Sequence, residues 1–272
     1  MIASADRAVS GVDNRLFWEK KAPKYGLPFD SETLSRTIRI IGILEEKGIS
    51  LKGVSILDIG CGTGTLALPL AQRGSRVTAL DISENMLIRL WREAEKMDIE
   101  GVQLLRHSWK EVNVRDAGLE KAFDVVLSAL SIAVETEADI LKMERCAKTW
   151  CVCIATERIR RDPVCDRVLK ALKAPRKPRP YIRDTRLKLA GMGRSFSYGS
   201  LNVVTTTEKT AEQLIDEIAQ RFEAAGKAAH RNRIEASVMA VLSENDKEKR
   251  MIRCRRESEI GVLMWRVDRI GL

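Results

Sequence analysis

Nowhere in this chain do about eighteen apolar residues run together, so no membrane-spanning helix is expected. The opening stretch, MIASADRAVSGVDNR, has no continuous apolar core, and a secretory signal is not expected either. No internal repeat is visible. Aromatic residues make up only 5% of the sequence, which leaves few platforms on which nucleic-acid bases could stack. Six cysteines stand at 61, 146, 151, 153, 165 and 254, without the spacing of a disulfide framework or a zinc site. That pattern points to reduced thiols in a cytoplasmic protein and to no bound metal. What is present is globular: 272 residues, 44% hydrophobic and 31% charged, enough for one large domain or a core with a lid. The net charge is +9, and it is uneven. Between Glu157 and Arg194 there are 13 Lys and Arg against 4 Asp and Glu, a local excess equal to the whole. Such a field favours an anionic partner (phosphate, carboxylate or nucleic acid), or it belongs to a solvated basic loop.

The pattern along the chain falls into four parts. Residues 1–50 read as a helical arm: a short helix near NRLFWEKKA, then a longer one from Ser31 to Lys47 with Leu34, Ile38, Ile41 and Leu44 at helical spacing, stopped by Gly48. Residues 51–156 alternate short apolar strands with helices. The strands are VSILDIG (54–60), RVTALDIS (76–83), VQLLRH (102–107), FDVVLSA (123–129) and WCVCIAT (150–156). The helices are TLALPLAQRG, SENMLIRLWREAEKM with Ser83 as N-cap, and EADILKMERCAK. This alternation builds a parallel sheet covered on both faces, with right-handed crossovers. Cys151 and Cys153 alternate with Val152 and read as strand packing. Residues 157–193 are a basic helical insertion, broken by the three prolines of APRKPRP. Residues 194–272 hold a strand at SFSYGSLNVVTTT, helices at TAEQLIDEIAQRFEAA and 232–242, and a closing apolar strand at 260–268.

LDIGCGTGTLALPLA (57–71) carries the chemistry. Gly60, Gly62 and Gly64 alternate in the turn from the first strand to the first helix, with Asp58 two residues earlier. Such a turn lets ligand atoms approach the backbone closely. The dinucleotide fingerprint G-x-G-x-x-G would need a glycine at 65, where Thr65 stands. An acid, Asp81, ends the second strand 21 residues after Gly60. On these residues, with VTALDIS after them, the chain resembles the class I S-adenosylmethionine-dependent methyltransferases. The arm LFWEKKAPKYG resembles that of their small-molecule branch, typified by quinone-biosynthesis and biotin-precursor methyltransferases. The resemblance covers roughly residues 17–156.

That resemblance implies an α/β fold: a doubly wound, seven-stranded, mostly parallel sheet in the order 3-2-1-4-5-7-6, with an N-terminal helical arm and a lid inserted after strand five. It implies S-adenosylmethionine as cofactor and S-adenosylhomocysteine as product. Asp81 would grip the ribose hydroxyls, Ile82 and Met86 would flank the adenine, and Asp58 would fix the loop or reach the methionine amino group through water. Gly60, Cys61, Gly62 and Gly64 would form the cofactor loop, with Cys61 a small packing residue. Ser128 and Ala129 would contact the methionine portion, and Tyr25 would cover the cofactor. The family often has GDA after strand three; here RHSWKEV puts Ser108 at the Asp position and Trp109 beside it. A hydroxyl holds the adenine amino group more weakly than a carboxylate, and Trp109 either flanks the ring or belongs to the core.

No general base is evident, and an in-line displacement on a sulfonium needs one only if the acceptor must shed a proton. The signatures of amino-directed nucleic-acid enzymes and of cytosine-C5 enzymes are absent. The expected acceptor is a small, anionic molecule recognised by the basic insertion, with Tyr181, Arg183 and Arg186 as candidate contacts. Two other functions stay open: methylation of RNA or a ribosomal component, with the insertion as electrostatic footprint, and a regulatory protein that binds the cofactor without turnover.

Overall fold

The computed structural model describes residues 12–161, 163–174, 182–223, 227–228, 230–243 and 251–268. From the N-terminus, α1 (Val12–Lys21) leads through a 3₁₀ turn (Ala22–Lys24) to α2 (Ser31–Glu46). Strands and helices then alternate: β1 (Ser55–Ile59), α3 (Ala67–Gln72), β2 (Arg76–Asp81), α4 (Glu84–Lys96), β3 (Val102–Arg106), β4 (Phe123–Ala129), α5 (Glu137–Cys146) and β5 (Ala147–Arg161). The remainder comprises α6 (Pro163–Ala171), α7 (Ile182–Gly191), β6 (Phe196–Lys209), α8 (Ala211–Glu223), α9 (Arg231–Ser243) and β7 (Ile252–Arg266). The seven strands form one sheet in the order β3-β2-β1-β4-β5-β7-β6. The pairs β1–β2, β1–β4, β2–β3 and β4–β5 are parallel. This is the doubly wound order implied by the sequence. Among the described residues, no helix is long and apolar enough to cross a membrane.

By its contacts the chain divides into two units. The first comprises Met1–Thr156, Pro180–Leu201 and Ile260–Leu272. Its core forms because the central strands are buried on both faces: Leu57, Ile59, Val126 and Cys151 are fully covered. Helix α2 buries Thr37, Ile40, Ile41 and Leu44, and leaves Ile38 exposed. The buried face is therefore rotated from the expected stripe, and the Thr37 hydroxyl sets it by donating to the Thr65 carbonyl at 2.9 Å. A buried polar knot ties α5 to the end of the sheet. Both carboxylate oxygens of Glu144 accept from Arg194, each at 2.9 Å, and one also accepts the indole N–H of Trp265 at 2.9 Å.

The second unit comprises Glu157–Arg179 and Asn202–Glu259. Its own core draws Val168 and Leu172 from α6, Leu214, Ile215 and Ile218 from α8, Ile234 and Val238 from α9, and Ile252 and Cys254 from β7. The closing strand begins at Ile252, eight residues before the expected start. From 252 to 259 its burial is intermittent, and the exposed positions are charged; from Ile260 to Trp265 it is continuously buried. A half-solvated strand alternates and a doubly covered one does not, so only the second part of β7 reads as apolar sequence.

Candidate functional site

The parallel register places the C-terminal ends of β1, β2 and β4 at one edge of the sheet: Asp58 lies opposite Ala79 and Leu127. The loops that follow these strands converge there, the usual position of a ligand crevice in such sheets. A solvent-open cleft occupies it. The loop after β1 supplies Gly60, Cys61, Gly62 and Thr65; the end of β2 supplies Asp81 and Ile82; the stretch after β3 supplies His107 through Lys110. The end of β4 supplies Ala129 through Ala133, and the N-terminal elements supply Trp18, Tyr25 and Arg36.

The glycine loop has a purpose the sequence does not disclose. All three glycines have positive φ: 72° at Gly60, 56° at Gly62 and 82° at Gly64. A Cβ on Gly60 would collide with the Ser131 side chain, 2.8 Å from its Cβ, and one on Gly64 would meet Leu90 Cγ at 2.7 Å. Those two absences serve packing. Gly62 alone has room, its nearest neighbour being a Tyr25 ring carbon at 3.7 Å. The amides of the loop are also occupied. Gly60 and Cys61 donate to the Leu80 carbonyl at 2.8 and 3.0 Å, Gly62 to Asp81 Oδ2 at 2.8 Å, and Gly64 to the Cys61 carbonyl at 3.0 Å. The three glycine amides are thus committed to protein acceptors and are not left to cradle a phosphate.

Asp81 is 8% exposed, and its other oxygen accepts from the Ser83 amide at 2.9 Å. Burial raises its pKa, opposed by the Ser83, Gly62 and Ile82 amides. Asp58 is buried behind the loop and does not line the cleft. Its pKa is pushed up to about 7, first by burial and then by the charge of Asp81. The Cys61 thiol is pushed well up by burial, Asp81 and Asp58, so it stays protonated and packs rather than attacks. Gly64 faces Leu90, and Ser128 donates to the Ile59 carbonyl at 3.2 Å; neither lines the cleft.

Beyond β3, Ser108 is half-buried at the cleft, and its carbonyl accepts from the Glu111 and Val112 amides at 3.1 and 2.9 Å. Trp109 is both core and cleft lining; its indole N–H is buried without a partner among the described residues. The Lys142 ammonium lies 5.3 Å from the Trp109 ring centroid and donates to the Trp109, Lys110 and Val112 carbonyls at 2.8, 3.3 and 3.2 Å, which fixes this wall. Met86 is buried at the cleft floor. At the end of β4, Leu130 has φ +52°, a conformation rare for a bulky residue and concentrated at functional sites.

The N-terminal arm crosses the same edge. Trp18 and Tyr25 meet edge to face at 6.2 Å. The Thr63 hydroxyl donates to the Gly26 carbonyl at 2.6 Å, and Arg89 donates to the Pro23 and Tyr25 carbonyls. Burial raises the Tyr25 pKa, partly offset by the charge of Arg36. Of the candidate acceptor contacts, Arg183 is exposed, Arg186 lies 5.5 Å over the Tyr198 ring, and neither lines the cleft; Tyr181 falls outside the described residues. Trp18, Arg36, Lys110 and Ser131 line the cleft without having been singled out for it. The spacing of Trp18 and Tyr25 within the arm was visible; nothing local marks Arg36 or Ser131.

Residues 56–150 match the family model of the methyltransferase domain. The chain is 40% identical over 94 residues to an uncharacterised protein of Haemophilus influenzae, covering 35% of this chain and 33% of that protein. It is 42% identical over 67 residues to a ubiquinone biosynthesis O-methyltransferase of Methylocella silvestris, covering 24% of this chain and 26% of the relative. The matched part is thus a third or less of these relatives' own length. Among solved structures, the YcgJ protein of Bacillus subtilis superposes with a TM-score of 0.51 at 16% identity, over 84% of this chain and 98% of that one, a likeness of fold.

Proposed function

We propose that this chain, whose residues 56–150 match the family model of the methyltransferase domain, is a class I S-adenosylmethionine-dependent methyltransferase that transfers a methyl group from that cofactor to a small, anionic acceptor. The observation that carries the proposal is the cleft itself. A buried carboxylate, Asp81, stands beside a glycine loop whose amides are engaged by protein, at the edge of a sheet wound in the methyltransferase order. When bound, the cofactor supplies an electrophilic methyl on a cationic sulfur. Asp81 would accept hydrogen bonds from the ribose hydroxyls, Ile82 and Met86 would pack on the base, and Ser108 would offer a hydroxyl to its polar edge. Gly60, Cys61, Gly62 and Ala129 would hold the methionine portion, and Arg36 and Tyr25 would hold its carboxylate. Catalysis then rests on alignment, since holding nucleophile and methyl in line removes much of the entropic barrier.

One feature favours a small acceptor over a folded RNA: Trp18 and Tyr25 of the arm line the cleft. Of the cations on its walls, Lys110 is already paired with Asp139, with Glu135 3.9 Å away, so Arg36 carries the case for an anion.

Calorimetry with S-adenosylmethionine and its demethylated product tests the cofactor, and a donor-consumption screen over small carboxylates, phosphates and RNA tests the acceptor. Saturable binding with turnover on a small acid is the expected result. Binding without turnover on any acceptor would leave a regulatory protein, and salt-sensitive turnover on RNA would move the acceptor class. Asp81→Asn should weaken the cofactor by roughly ten- to a hundredfold, the scale of hydrogen bonds to a charged group.

A further inference from the structure

Glu19 lies on α1, outside the cleft lining, yet its carboxylate is committed to the cleft's architecture. One oxygen accepts from the Ser83 hydroxyl at 2.9 Å and the Asn85 amide at 3.0 Å; the other accepts from the Glu84 amide at 2.9 Å. These donors form the first turn of α4, where a helix end leaves amides without intrahelical partners and favours negative charge. Ser83 is fully buried and caps α4, its hydroxyl accepting from the Met86 amide at 3.2 Å. Its own amide holds Asp81 Oδ1. A continuous path therefore runs from the arm, through Glu19 and Ser83, to the carboxylate at the end of β2. Arg89, one and a half turns further along α4, holds the arm from the other side through the Pro23 and Tyr25 carbonyls.

We propose, on the basis of the activity above, that Glu19 is a positioning residue that couples closure of the arm over the cofactor to the orientation of Asp81. Trp18 adjoins Glu19 in sequence and lines the cleft, so breaking the Glu19 contacts frees the wall it carries. Opening the arm requires the loss of all three Glu19 hydrogen bonds, and the cleft then opens for release of the demethylated cofactor. Because the latch is already closed in this structure, Glu19 governs both how readily the cofactor leaves and how readily it enters.

The test is stopped-flow measurement of S-adenosylhomocysteine binding to the full chain and to Glu19→Gln, Glu19→Ala, Trp18→Ala and the Glu19→Ala/Trp18→Ala double variant. Dissociation should accelerate about tenfold in Glu19→Ala and by less in Glu19→Gln, with association faster than wild type and never slower. Once Trp18 is removed, the Glu19 substitution should add little further. An unchanged dissociation rate, or effects that simply multiply as independent stabilising contacts do, would overturn the coupling. Amide exchange at Glu84 and Asn85, read in the same samples without ligand, should quicken in both Glu19 variants; unchanged exchange would refute the latch on its own. Failure of the wild-type chain to bind S-adenosylhomocysteine strikes instead at the cofactor assignment, and the exchange data still judge the latch.

Discussion

At the scale of single residues, the three alternate glycines do different jobs despite one sequence signature. Gly60→Ala and Gly64→Ala set a Cβ against Ser131 and Leu90 at positive φ, so both should unfold readily. A left-handed conformation alone costs about 1–2 kcal/mol, and the overlaps add to it. Gly62→Ala meets no such obstacle and should lose only about 1–2 kcal/mol by chemical denaturation, while its methyl enters the cleft and weakens the cofactor tenfold or more by calorimetry. Comparable stability losses in all three would contradict this division. Asp58 gives a second residue-scale prediction, through proton linkage. Its pKa is about 7 in the fold against an ordinary 3.8. Between about pH 4 and pH 7 the unfolded chain releases this proton while the fold retains it, so stability falls as pH rises. The slope approaches about 1.4 kcal/mol per pH unit, for a total on the order of 4 kcal/mol. In Asp58→Asn the amide oxygen can still accept from the Ala67 N–H, and the fall in melting temperature over that interval should be smaller than in the wild type, the remainder coming from Asp81, whose pKa burial also raises.

At the scale of elements, the central strands of 51–156 were legible because β1 and β4 are buried almost throughout, whereas β3 at the sheet edge is only partly buried. A strand covered on both faces is a short apolar run, and Ser83 before ENMLIRL is a readable cap that the Met86 amide uses. Elements that combine two environments were less legible, as in β7, where Arg253, Arg255 and Arg256 mask the Ile252 and Cys254 face. Helix α2 shows a different ambiguity: with isoleucine at 38, 40, 41 and 43, more than one face is apolar enough to bury. The Glu144–Arg194–Trp265 knot joins elements far apart in sequence and has no local signature. Glu144→Ala leaves the Arg194 guanidinium and the Trp265 indole N–H without their acceptor, and it should cost about 3–5 kcal/mol in urea unfolding. Replacement of Glu144 with no measurable loss would show that the knot contributes nothing net.

At the scale of the whole molecule, two units carry separate hydrophobic cores. Ile234→Ala opens a cavity in the second core and should cost about 2–5 kcal/mol. Because Asp81, the glycine loop and the arm all lie in the first unit, its cofactor affinity should stay within about twofold; a larger loss would tie the second core to the cleft. The sequence alone determined the alternation of strands and helices and the acid beside the glycine loop, because each rests on a pattern of residues along one element or one turn; the strand order, whose β1–β4 pairing joins residues 69 apart, came through the family resemblance. Only the tertiary structure decided which glycine has room for a side chain, that Ser131 and Leu90 fill the places beside the other two, and that Glu19 reaches the first turn of α4. Those outcomes depend on side chains brought together from 26 to 71 residues apart, and no local preference encodes which distant neighbour will occupy a given space.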